Sequence, residues 1–191
     1  SSDVCSSDLL AGKIRNVALA GHSSSGKTTL AEALLYKTGY SDRLGKVADG
    51  NTVCDFDPEE IKRKVSVSST VAPFAWGSTK INLIDTPGLF DFEGGMYEGM
   101  IAAESALITV SARDGVEVGT EKAYELADRL GRAKMFFVTQ MDMDHADFYK
   151  VLEQLKSEFG PSVCPLVVPF MKDGKVDCYI NQIGRASCRE R

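Results

Sequence analysis

The chain has 191 residues, 43% of them hydrophobic, and a formal net charge of −5, which suits one full α/β core and leaves little for a second. Its 22 basic and 27 acidic residues are interspersed without a basic run, so composition gives no reason to expect DNA binding. No stretch reaches the ~20 apolar residues that span a bilayer, and the Ser/Asp-rich start lacks the basic-then-apolar plan of a signal peptide. A cytoplasmic chain with no membrane partner is expected. The five cysteines, Cys5, Cys54, Cys164, Cys178 and Cys188, lie far apart in no metal-binding spacing, and the odd count argues for reduced thiols.

The two ends match nothing in the body. Residues 1–9 and 184–191 show no periodicity and resemble translated sequencing-adapter sequence, so both are read as non-native tails with nothing to pack. Residues 10–183 are then one domain, cut short, with the start of an insertion near 163–183.

In chain order, residues 14–20 form a short apolar run of strand type, followed by GHSSSGKT at 21–28. Leu30, Leu34 and Leu35 then repeat at helical spacing up to Lys37, before Gly39. The segment 39–64 is polar, without periodicity, and too long for an ordinary connection, which marks it as functional or mobile. Residues 65–71 alternate as a strand does, and 76–80 turn into a second strand at 81–85, predicting a hairpin. The runs 106–110 and 135–138 are near-continuously apolar, the pattern of strands covered on both faces. Between them Ala123, Leu126, Ala127 and Leu130 share one helical face, and Tyr149, Leu152, Leu155 and Phe159 mark another helix ended by Gly160-Pro161. A last hairpin is predicted around Asp173-Gly174. Alternating strands and helices predict an α/β fold of phosphate-loop NTPase type: a mostly parallel, doubly wound sheet with helices on both faces and one antiparallel hairpin strand. Phe90, Phe92, Phe136, Phe137 and Phe148 are expected to fill its core.

The pattern Gly-x-x-x-x-Gly-Lys-[Ser/Thr] between a strand and a helix carries a mechanism. It aims several backbone N–H groups and the positive helix end at one point, which suits a polyphosphate. Gly21 and Gly26 let the backbone approach, Lys27 reaches the β/γ-phosphates and the Thr28 hydroxyl can ligate Mg²⁺. A second element, Asp85-Thr86-Pro87-Gly88, puts a carboxylate at a strand's carboxyl end, where open α/β sheets bind ligands. Asp85 can hold Mg²⁺ through water, and Gly88 can offer its N–H to a γ-phosphate. Taken singly, Asp85 reads as part of a turn closing a strand; paired with 21–28 in this order, it reads as part of a nucleotide site.

GHSSSGKTTL, DTPGLFDF and EVGTEKAYELADRLGRAKMFFV, followed by an Asp-bearing strand end, resemble the GTP-binding domain of translational GTPases, elongation factor G above all. The resemblance covers nearly all of residues 13–183. It implies a Mg²⁺-dependent GTP/GDP switch that acts on the ribosome. Gly21, His22, Ser23, Ser24, Ser25, Gly26, Lys27, Thr28 and Thr29, with Asp85 and Gly88, are then the phosphate side of the nucleotide site. Lys27, Ser66 and Gly88 take the catalytic roles, and Thr28, Ser66 and Asp85 the metal. In EEIKRKVSVSST the family's Arg-Gly-Ile-Thr-Ile becomes Arg63-Lys64-Val65-Ser66-Val67, so Ser66 takes the place of the Thr that closes over the metal.

Departures from the family pattern bear on activity. Asn-Lys-x-Asp becomes Thr139-Gln140-Met141-Asp142, keeping the carboxylate that accepts the two edge donors of guanine but weakening the groups beside it. His22 reads as a brace of the loop, and His145 as a surface residue. Ser24 stands where the family has Asp, and Leu89 where it has the His that orients the attacking water. Leu can neither donate nor accept, so weak hydrolysis is expected. The alternatives are a nucleotide-gated binding module with little turnover, a ribosome-protection or release-type factor, and a phosphate-loop enzyme with altered base preference.

Overall fold

The computed structural model describes residues 11–172, 175–181 and 185–188. Two compact units divide the chain: 1–109 with 118–137, and 110–117 with 138–191. The main sheet has the order β2-β3-β1-β4-β5, from β1 (Ile14–Gly21), β2 (Thr70–Trp76), β3 (Thr79–Asp85), β4 (Ser105–Ser111) and β5 (Ala133–Thr139). β1 runs parallel to β3 and β4, with Leu19 opposite Asp85 and Gly21 opposite Thr109. β2 pairs antiparallel with β3 across the two-residue turn Gly77-Ser78, as the hairpin prediction required.

The period of two along β1 sorts its side chains into two cores. Leu19 faces α1 (Lys27–Lys37) and packs with Ala31, Leu35, Phe74 and Leu83. Ala18 and Ala20 face the other way, where Met96 and Met100 of α3 (Glu93–Ala102) and Ala123 and Leu126 of α4 (Val118–Arg129) cover them. Helices thus lie on both faces, as the alternating pattern predicted. α4 follows the apolar stripe that predicted it. α2 (Pro58–Arg63) is one short turn whose start is written in the sequence: Asp57 and Glu60 form a reciprocal capping box with Pro58 at the first position.

Three expectations fail locally. The strand read at 65–71 begins only at Thr70, because the N–H groups of Val67 and Ser68 donate to Glu60 Oε1 at 2.9 and 3.0 Å and are not free for a ladder. β5 is an edge strand of its sheet, with Met135 53% and Phe137 41% exposed, so its apolar run does not mean cover on both faces. Phe90, read as core, is 46% exposed. α3 was not legible, since Gly94, Gly95 and Gly99 lower helix propensity. It forms because Met96 and Met100 bury against the sheet and Gly99 lets its backbone come close to the end of β3.

In the second unit, α5 (Phe148–Phe159) is capped by Asp147, which accepts from Tyr149 and Lys150 N–H, and ends at Gly160. An antiparallel sheet follows in the order β6-β7-β8, from β6 (Val167–Lys172), β7 (Lys175–Asn181) and β8 (Arg185–Cys188). β6 and β7 are the predicted hairpin, whose Asp173-Gly174 turn lies outside the described residues. β8 pairs with β7 from Asn181↔Arg185 to Cys178↔Cys188, inside the segment whose composition reads as an added tail. The stretch 1–9 is outside the described residues.

Gly99→Ala tests the close approach of α3. Alanine raises helix propensity by about 1 kcal/mol, yet its Cβ would lie 2.5 Å from Thr86 Cγ2 and 3.2 Å from Ile84 Cγ2. Thr86 is β-branched, fully buried and pinned by its hydroxyl to Leu19 O at 2.8 Å, so it cannot yield. The clash wins, and urea unfolding should show a net loss of about 1–3 kcal/mol.

Candidate nucleotide site

The phosphate loop bridges β1 and α1 in the first unit. Gly26 caps α1 at φ 84°, a left-handed conformation open to glycine without a Cβ penalty. Ser24 holds φ 63° without that advantage. Ser25 ties the loop to β4, its Oγ lying 2.6 Å from Thr109 Oγ1 and donating to His22 O at 2.8 Å. Lys27 is 5% exposed, and its ammonium donates to the loop's own carbonyls at His22 (2.6 Å) and Gly21 (3.2 Å). Thr29 follows Thr28 in the first turn of α1. The charge of Lys27 therefore sits inside the loop, directed by the curve of its backbone.

His22 braces the loop. Gly119 N–H at the start of α4 donates to His22 Nδ1 at 3.3 Å, and the ring meets Phe90 edge-on with centroids 6.0 Å apart. Lys122 Nζ stands 4.7 Å from the Phe90 centroid. Phe90 is thus held by polar neighbours at its half-exposed position, not by the core.

The first unit brings Thr28, Ser66 and Asp85 together. Thr28 Oγ1 donates to Asp85 Oδ2 at 2.7 Å, Ser66 Oγ donates to Asp55 Oδ1 at 2.7 Å, and the two hydroxyl oxygens lie 3.1 Å apart. Each hydroxyl has one proton. When both carboxyls are ionised and take those protons, the two hydroxyl oxygens face each other with lone pairs. Asp85 is 2% exposed, and its Oδ1 has no partner among the described residues. All of these donors are hard oxygens, the set that Mg²⁺ takes. Asp55 was missed from sequence, since an acid in a long polar loop carries no signal of its own.

Burial pushes the Asp85 carboxyl up to about 7; the Thr28 hydrogen bond and Lys27 oppose that, while Asp55 and Glu32 add to it. Burial also raises Asp55, against the bond from Ser66. Gly88 lies on the loop: a Cβ there would strike Lys27 Nζ and come within 2.7 Å of Ser23 N and 2.9 Å of His22 C. Leu89, half-buried, lines an apolar pocket with Pro87, Phe90, Met96 and Lys122.

The other predicted site residues belong to the second unit or its border. Thr139 Oγ1 donates to Val110 O at 3.1 Å, and Gln140 adopts φ 57°. Ser111 Oγ lies 2.7 Å from the Gln140 amide and 2.9 Å from Asp114 Oδ2. One hydroxyl proton cannot serve both. Donation to the Asp114 carboxylate, with the amide turned so that its NH₂ donates to Ser111, satisfies all three groups. Asp142 is exposed on the turn after β5.

A strand, a glycine loop closing on a lysine, and an Asp-Thr-Pro-Gly end on the adjacent parallel strand define the phosphate-loop GTPase fold. The elongation factor Tu GTP binding domain family matches residues 12–187, and the chain belongs to it. It is 40% identical over 158 residues to an elongation factor G-like protein of Mycobacterium tuberculosis, covering 83% of this chain and 22% of that one. It is also 34% identical over 181 residues to a mitochondrial ribosome-releasing factor 2 of Culex quinquefasciatus, covering 95% and 24%. A crystal structure of a Thermus thermophilus protein matches with a TM-score of 0.88 and 44% identity, over 93% of this chain and 27% of that one. The chain therefore spans less than a quarter of these two curated relatives. No helix among the described residues is long and apolar enough to cross a membrane.

The Asp85 carboxyl predicts a pH dependence in the nucleotide-free protein. Its folded pKa lies above its unfolded one, so the folded state binds the extra proton; the stability this adds is complete below about pH 4 and is lost as pH rises through about 7. Urea unfolding should show a loss of about 2 kcal/mol between pH 5 and 8. Asp85→Asn should flatten that profile and leave the nucleotide-free protein more stable than the parent at pH 8.

Proposed function

We propose that this chain is the Mg²⁺·GTP-dependent switch domain of an elongation factor G-like translation factor, working in the cytoplasm on the ribosome through the full-length protein. The observation that carries this reading is the pair of facing hydroxyls of Thr28 and Ser66, each bonded to a carboxyl, beside a buried Asp85 oxygen with no partner among the described residues. In this reading the loop N–H groups of 21–28 and Lys27 hold the β/γ-phosphates, with Ser23, Ser24, Ser25 and Thr29 completing the cradle. Thr28, Ser66 and Asp85 hold Mg²⁺, which screens charge on the phosphoryl oxygens. Gly88, close to Lys27 and the loop backbone, offers its N–H to the γ-phosphate. Ordering of the segments around Ser66 and Gly88 on that phosphate is the switch. Asp142 accepts the guanine edge, Gln140 lies against the base, and Thr139 supports the turn.

Hydrolysis is the weak step. Leu89 faces an apolar pocket and has no atom to orient water, so binding and switching are retained while the positioning contribution to turnover is missing. This same residue favours a second reading, a nucleotide-gated binding module that scarcely turns over.

Titration with fluorescent nucleotides should show GTP and GDP preferred over ATP on the order of a hundredfold. Equal affinities would remove Asp142 from its role. Lys27→Ala should weaken GTP binding by about 2 kcal/mol. In the full-length protein, Leu89→His should raise ribosome-stimulated single-turnover hydrolysis on the order of tenfold, with Ser24→Asp added if the two positions act as one unit. Strong ribosome stimulation of the unmodified protein would overturn the weak-hydrolysis reading and exclude the binding module.

A further inference from the structure

We propose that Glu32 is a positioning residue for the metal: its buried carboxylate holds Asp55, and through it Ser66, against the metal-binding end of α1. The proposal rests on the Mg²⁺·GTP reading above. Glu32 is 1% exposed and lies one helical turn after Thr28, on the same face of α1. Its Oε1 accepts two backbone N–H groups, from Val53 at 2.6 Å and Cys54 at 3.1 Å. Its Oε2 has no hydrogen-bond partner among the described residues. The loop closes over that oxygen: a Cβ on Gly45 would strike Oε2 and lie 2.9 Å from Thr52 Cα.

Burying a carboxylate without a cation costs several kcal/mol, and packing alone asks for no acid here, since Ala31 and Leu35 beside it on α1 fill the apolar core. What the carboxylate does is fix residues 53 and 54, and the next residue is Asp55. Asp55 accepts the Ser66 proton, Ser66 faces Thr28, and Thr28 belongs to the helix that carries Glu32. A closed ring of contacts runs from α1 through 53–55 and Ser66 back to α1. Within it, Glu32 is the anchored upstream end and Ser66 the metal-facing one. Cutting the anchor frees Asp55 and lets Ser66 lose register with Thr28.

The test compares Glu32→Ala, Glu32→Gln and Gly45→Ala with the parent chain, and reads the Mg²⁺ concentration for half-maximal retention of a fluorescent, non-hydrolysable GTP analogue. Amide hydrogen exchange at residues 53–55 and the thermal midpoint are measured alongside. Glu32→Ala should raise the Mg²⁺ requirement about tenfold or more and speed exchange at 53–55, while Glu32→Gln, which keeps an accepting oxygen, should stay within about twofold of the parent. Gly45→Ala pushes on Oε2 from the loop side and should shift the requirement in the same direction, which keeps the test open if Glu32→Ala does not fold. A lowered thermal midpoint with an unchanged Mg²⁺ requirement, in either folded variant, would reduce Glu32 to a packing role and overturn the proposal. If the parent itself retains the GTP analogue without Mg²⁺, the underlying reading falls and the proposal with it; that failure shows in the parent, not in the variants.

Discussion

The buried carboxylate of Asp85 is the constraint on which the first unit is arranged. Taking it out of water is unfavourable, and with one oxygen bonded to Thr28 and the other unpartnered among the described residues, the cost is only partly offset within the protein. Lys27 nearby helps, but its ammonium is turned to the loop carbonyls. Such a group marks a place where something else must supply charge. The parallel pairing of β3 with β1 and the packing of α1 on that sheet bring this oxygen, the loop and the Thr28 hydroxyl to one end of the sheet.

Close approach is the second requirement, and it explains where side chains are missing. Gly88 meets the phosphate loop and Gly99 meets the end of β3, so at these two points the chain from Asp85 to α3 comes too close to its neighbours for a Cβ. His22, accepting from Gly119 and touching Phe90, adds a second link from the loop to α4 and to the residues after Gly88.

What was readable in the sequence divides by the range of the forces involved. The loop, the second strand of the hairpin, α4 and α5 are written in local periodicity, caps and turn residues, so they were legible. α3 was hidden because its propensity is poor and its stability comes from Met96 and Met100 meeting the sheet, a tertiary effect. The strand expected at 65–71 failed for a related reason: Glu60 reaches across from α2 to take N–H groups that the alternating pattern assigned to a ladder. Thr28, Ser66 and Asp85 were legible as a set through motif spacing and resemblance. Asp55 and Glu32 were not, because their roles exist only once the long polar segment folds back on α1.

The departures from the family pattern fall on different functions of the site. Loop, lysine, Thr28 and Asp85 are kept, and Ser66 retains a hydroxyl where the pattern has Thr, losing only the methyl that stiffens the side chain. Leu89 and Ser24 change groups that the resemblance assigns to the attack of water, and Thr139-Gln140 changes the support of the base. On the proposed reading, binding free energy comes from phosphate and metal contacts, which are many and charged, whereas orientation of one water depends on a single donor or acceptor at one position. Loss of the latter therefore leaves the former standing. On the proposed reading, a chain with Leu89 would hold the triphosphate state for longer than one with a histidine there, so the substitution would alter the lifetime of that state more than the strength of binding.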